Sequence, residues 1–158
     1  MSRTLTRELT TKQIFALLIS LLVAAICGIV YELIISTISS YLLGNSVYQF
    51  SMTIGVFMFS MGLGSIATKY FNTQYIENFI FVEILLALIG GGTGLALFLV
   101  FPYAREYYEL VSLSFIVTIG ALVGMEIPIL TTALAEFRST RHSVADVMSF
   151  DYLGALIG

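Results

Sequence analysis

The chain has 158 residues, 58% of them apolar and only 11% charged, with a net charge of −3 and a mean hydropathy of +0.97. Ordinary soluble domains carry about 25% charged residues, so this composition excludes a water-soluble domain of usual make-up. No run of basic residues is long enough to serve nucleic acid, and none is expected as a partner.

Arg3, Arg7 and Lys12 precede the first apolar stretch. That stretch exceeds the roughly 7–15 residues of a signal-peptide core and lacks a small-x-small cleavage site. It therefore predicts a cytoplasmic N-terminal segment over 1–13 followed by a membrane domain over 14–158. The fold class expected is all-α, a polytopic transmembrane helical bundle with four full spans and a truncated fifth.

The spans run from about Ile14 to Ile35, Tyr48 to Ala67, Phe79 to Phe101 and Val111 to Ala135. Each approaches the ~20 residues that cross ~30 Å of hydrocarbon. Polar connections are expected at Ser39–Ser46, around the turn signal Gly44-Asn45, and at Lys69–Asn78, Pro102–Glu109 and Glu136–Ser143. A fifth apolar run starts near Val144 and reaches Gly158 with no polar flank. A helix stopping in mid-bilayer would leave its last carbonyls unsatisfied, so the expectation is a fragment of a longer protein.

Basic residues in short loops set orientation. With the N-terminus inside, Arg3, Arg7, Lys12, Lys69, Arg138 and Arg141 are cytoplasmic and only Arg105 is outside. The expected location is a bacterial inner (cytoplasmic) membrane, multi-pass, with a cytoplasmic N-terminus and the lipid bilayer as partner.

Helices in lipid meet through small residues. Small-xxx-small pairs occur at Ser60/Gly64, Gly90/Gly94, Gly120/Gly124 and Gly154/Gly158, and Gly90-Gly91-Gly92 would permit a very close crossing. Packing alone explains these glycines. A homo-oligomer is compatible with them.

Chemistry is suggested by acids within the apolar spans: Glu32, Glu83, Glu126 and Asp151. A charge at bilayer depth costs at least ~2.5–3.5 kcal/mol, and no lysine or arginine lies at matching depth. In one reading these carboxylates face a common interior and contact a cation, a polyamine or a proton. In the other each is protonated or hydrogen-bonded to a neighbouring helix and fixes packing. Pro128 follows Glu126 closely and frees the carbonyl of Gly124, which predicts a helix kink and an oxygen beside the acid. Cys27 reads as an apolar packing residue, and His142 has no second ligand nearby. No phosphate loop, nucleophile elbow or zinc spacing is present, so the sequence assigns no catalytic, cofactor-binding or metal residue.

Five motifs in order carry a resemblance: Tyr31-Glu32, Tyr41-Leu42-Leu43-Gly44-Asn45-Ser46-Val47, Phe57-Met58-Phe59-Ser60-Met61-Gly62-Leu63-Gly64-Ser65, Gly124-Met125-Glu126-Ile127-Pro128-Ile129-Leu130 and Asp151-Tyr152-Leu153-Gly154-Ala155-Leu156-Ile157-Gly158. From about Ala25 to Gly158 the chain resembles the N-terminal membrane region of bacterial integral-membrane spermidine synthase-like proteins, which are polyamine aminopropyltransferases. The resemblance implies a downstream transferase domain of the same protein, binding decarboxylated S-adenosylmethionine and putrescine. No residue here matches those catalytic positions, so no cofactor is expected in this chain. Three roles are compatible with these observations: an anchoring and polyamine-handling module, a cation- or proton-coupled small-molecule transporter, and a purely structural anchor or assembly module.

Overall fold

The computed structural model describes residues 11–71, 74–137 and 139–158. Among the described residues it contains only helices, in the order α1 Thr11–Leu43, α2 Ser46–Ala67, α3 Tyr75–Tyr103, α4 Tyr108–Ala135 and α5 Thr140–Ile157. Single 3₁₀ turns, Thr68–Tyr70 and Arg105–Tyr107, follow α2 and precede α4. Arg3, Arg7 and Arg138, counted above for orientation, lie outside the described residues.

The helices outrun the apolar spans that predict them. Ser39, Ser40 and the three residues after them continue α1, so the expected Ser39–Ser46 loop shrinks to Gly44-Asn45. Both residues take positive φ, 79° at Gly44 and 52° at Asn45, which only glycine and the short polar side chains adopt cheaply. Gly44 N–H closes the end of α1 on Ser40 O at 3.0 Å, and Asn45 Oδ1 accepts from Tyr48 N–H at 3.4 Å to cap α2. Pro102 likewise belongs to α3 rather than to a loop.

Among the described residues, four helical stretches are long and apolar enough to cross a membrane: Thr11–Leu43, Ser46–Tyr70, Tyr75–Tyr103 and Arg105–Ala135. The fifth expected span differs. It begins at Thr140, four residues before its apolar run, and α5 carries Arg141, Asp146 and Asp151 within 18 residues. Its length and composition do not place it among the four.

Contacts define the arrangement. α1 and α4 each touch every other α-helix, whereas α2, α3 and α5 do not touch one another. α1 and α4 therefore form a central pair with three separately seated neighbours. The pair runs antiparallel: Gly28 of α1 meets Val123 of α4, and Ser39 meets Ser112 and Tyr108. α3 and α5 run parallel to α1, with Ser20 opposite Glu83 and Leu22 opposite Gly154. Lys12, Lys69 and Arg141 consequently share one end of the bundle, and Arg105 sits at the other, over the Phe101 ring at 5.4 Å.

The tightest crossing joins α2 to α4. A Cβ on Gly64 would collide with the Ala121 backbone, one on Gly124 with the Met61 backbone, and one on Gly120 would lie 2.8 Å from Phe57 O. Gly154 plays the same part between α5 and α1, where its Cβ would lie 2.6 Å from Leu22 O, and Gly158 packs more loosely, 3.0 Å from Ile26 O. The triple glycine does not form a backbone crossing. Only Gly90 is covered, by the Tyr31 ring; Gly91 and Gly92 face open space, and Gly94 makes ordinary contact with Ile34 at 3.7 Å. α4 runs unbroken across Pro128.

Buried hydroxyls are satisfied largely within their own helices. Ser36 donates to Glu32 O at 2.8 Å, Ser60 to Val56 O at 2.7 Å and Thr93 to Ile89 O at 2.7 Å. The outer faces of α2 and α3 are apolar, with Met58, Phe59, Leu88 and Leu95 each about two-thirds exposed.

Gly124→Leu is expected to lower the stability of the protein by about 1–3 kcal/mol or more, because backbone cannot yield as a side chain does. Gly91→Ala, which meets nothing, should leave stability unchanged or raise it by up to about 1 kcal/mol. Thermal unfolding monitored by helical circular dichroism compares the two.

Candidate functional site

Four helices deliver the four acids singled out in the sequence. α4 is the most enclosed element, and Glu126 on it is 1% exposed. Among the described residues, its two carboxyl oxygens are the buried side-chain polar atoms with no hydrogen-bond partner. Leaving such a group unpaired carries its full desolvation cost.

The antiparallel registry explains which acids meet. Val123 faces Gly28, so Glu126, nearly one turn further along α4, sits toward the level of Ala25 on α1. Glu83 is tied to Ser20, five residues before Ala25 on α1, and Ser20 Oγ donates to Glu83 Oε1 at 3.2 Å. Asp151 lies just under one turn before Gly154, which faces Leu22. Glu83 from α3 and Asp151 from α5 both lie within electrostatic reach of Glu126. These three acids converge in the half of the bundle nearer the start of α1. Both flanking acids are half-buried.

Glu32 stands apart, further along α1, yet it shares a cleft with Asp151. The cleft, about 270 Å³, is bounded by α1, α2, α4 and α5. Gly28 and Glu32 form its floor, Ile54, Phe57, Met58 and Met61 one wall, and Asp151 and Ala155 the other. Because α2 and α5 do not touch, the cleft opens between them. Its lining is chiefly apolar, with a carboxyl group toward each end, a shape suited to a cation carrying an apolar stem. Among the described residues no basic side chain is buried to neutralise these acids.

Several contributors escape a reading of the sequence. Ser20 is one serine in an apolar run, and nothing along the chain signals that α3 brings an acid to it. Met58 and Met61 read as packing residues but line the cleft. Ser39 is within 3.1 Å of Tyr108 Oη and 3.3 Å of Ser112 Oγ, a buried hydroxyl trio joining α1 to α4 at the far end of the bundle. Asn45 caps a helix, and Ser46 bonds Ser40 at 2.6 Å. His142 is exposed in the first turn of α5, and among the described residues no group of three His, Cys, Asp or Glu side chains gathers as a metal would require.

Comparison with known proteins bears on what this arrangement serves. The chain is 43% identical over 142 residues to a polyamine aminopropyltransferase of Leptospira interrogans, covering 90% of this chain and 28% of that protein. It is 42% identical over 146 residues to polyamine aminopropyltransferase 1 of Streptomyces coelicolor, covering 91% and 27%. It is 35% identical over 156 residues to a polyamine aminopropyltransferase of Corynebacterium efficiens, covering 96% and 30%. The chain thus spans under a third of the length of the curated relatives it matches. These homologues are polyamine aminopropyltransferases, which agrees with the enzyme family, and does not bear on the membrane setting, that the five sequence motifs imply. No protein-family profile matches the chain, and no solved structure does.

An unpartnered acid kept for function should weaken the fold that holds it. Glu126→Leu is expected to raise the thermal midpoint, by an amount equivalent to roughly 1–3 kcal/mol, since it replaces an unsatisfied polar group with an apolar one of similar size. Ile129→Ala nearby, 1% exposed, should instead cost about 2–5 kcal/mol. A lowered midpoint for Glu126→Leu would mean that the carboxyl is tied into the packing.

Proposed function

We propose that this chain is the membrane-embedded module of a polyamine aminopropyltransferase-like protein. It anchors a transferase domain of the same protein to the bilayer and receives polyamine ammonium groups at its interior acids. The similarity to aminopropyltransferases over nine-tenths of the chain supports the first part. The four long apolar helices, with broadly apolar outer faces, support the membrane setting, since a water-soluble monomer rarely exposes such patches. The aminopropyl transfer named for the relatives is assigned to no residue of this chain.

The observation that carries the polyamine reading is the cleft with Glu32 and Asp151 along apolar walls, backed by the unpartnered Glu126. Ammonium groups are held by charge-assisted hydrogen bonds to carboxylates, and methylene segments pack on apolar side chains. Glu32 and Asp151 are the direct contacts, and Glu83 and Glu126 add negative charge behind them. A purely structural anchor would tie each acid to a neighbouring helix; Glu83 is so tied, to Ser20, and Glu126 is not. The alternative of a cation- or proton-coupled transporter draws on the same cleft, although Glu126 does not line it.

Two experiments test this reading. The protein should sediment with membranes and leave them only in detergent, and a cysteine placed at Asn45 should be labelled from outside intact cells by an impermeant reagent. Labelling from the cytoplasm alone would reverse the orientation, and detergent-free solubility would remove the membrane role. In lipid nanodiscs the full chain should bind spermidine saturably, with Glu32→Gln and Asp151→Asn each weakening it about tenfold or more. Unchanged affinity in both variants would end the polyamine assignment.

A further inference from the structure

The cleft accounts for Glu32 and Asp151 but leaves the most buried acid without a task. Glu126 is closed off at 1% exposure, with neither oxygen bonded. Among the described residues no Lys, Arg or His side chain is buried beside it. The groups facing it from each packed element are acids or neutral: Asp151 on α5, Glu83 on α3 with the Ser20 hydroxyl of α1 behind it, and Glu32 on α1 at the far side of the adjoining cleft. α2 carries no charged residue along its length. A proton is the smallest cation that can neutralise a carboxylate in such a place.

We propose that Glu126 is the proton-carrying group of the bundle, holding a proton when no cation occupies the cleft and releasing it when a cation settles beside Glu32 and Asp151. The arrangement supplies the coupling. Asp151 belongs both to the cleft wall and to the acid group around Glu126, so a positive charge at the wall stabilises a further carboxylate in that group. The O–H bond of one carboxyl breaks, its electron pair stays on the carboxylate oxygen, and the proton passes through half-buried Asp151 or Glu83 to water. The entering ammonium keeps its own protons, and no other bond changes. Proton exit then offsets one unit of the entering positive charge, which lessens the cost of bringing a cation to this depth.

This inference rests on the polyamine reading above, and its test separates the two. Spermidine is titrated calorimetrically into the full chain in nanodiscs, in two buffers that differ in ionisation enthalpy. The wild type should release close to one proton per spermidine bound, so the apparent heats differ between buffers. Glu126→Gln should cut the protons released per spermidine by at least half, whatever its affinity. In parallel, the infrared carbonyl band of a protonated carboxyl should be present in the wild type, fade as spermidine is added, and be absent or greatly reduced in Glu126→Gln. Binding with equal heats in both buffers, or a band unchanged by Glu126→Gln, overturns the proton role while leaving polyamine binding intact. No spermidine binding by the wild type overturns both. Should Glu126→Gln fail to fold, the same heats and band are read in Glu126→Leu, which is expected to be more stable than the wild type.

Discussion

The bundle depends on how closely α2 approaches α4. Gly64, Gly120 and Gly124 remove the side chains that would hold the two backbones apart, and Ser60 adds only a small one that bonds within its own helix. This crossing lets α4 lie deep enough to be covered by four neighbours at once. Burial of Glu126 follows from it: a wider crossing would leave the middle of α4 less enclosed. A few missing methyl groups thus set how closely the two backbones approach.

The same geometry accounts for the uneven treatment of the four acids. Glu83 and Asp151 sit on flanking helices and keep partial access to the outside, whereas Glu126 is on the central one and keeps none. Antiparallel pairing of α1 and α4 sets their depth, with the Ser20 bond and the Gly154 contact as fixed points. Glu32, more than two turns beyond Gly154's level on α1, can share only the cleft.

Much of the fold was legible because its signals are local. Long apolar runs mark four of the helices, Gly44-Asn45 marks the tightest turn, and Gly120/Gly124 and Gly154/Gly158 lie where helices meet. Other glycines misled for a physical reason. Gly90-Gly91-Gly92 has the composition of a close crossing, but a helix shows only part of its circumference to a neighbour, and two of the three point away. The end of α1 was underestimated because Ser39 and Ser40 look like loop, while Ser39 bonds across to α4 and Ser40 bonds Ser46 at the start of α2. The acids were visible as anomalies, but their convergence was not, since it requires the registry of helices far apart in sequence. Nor did the sequence distinguish α5, whose apolar end hides a charged first half.

The lack of contact among α2, α3 and α5 makes the assembly modular in an energetic sense. Each flanking helix is seated on the α1–α4 spine without direct contact with the other two. Defects at Gly64 and at Gly154 fall in separate interfaces, and their penalties should sum. Loosening of α5 would then widen the gap beside α2 while the α2–α4 seam, and with it the closed environment of the central helix, stays intact.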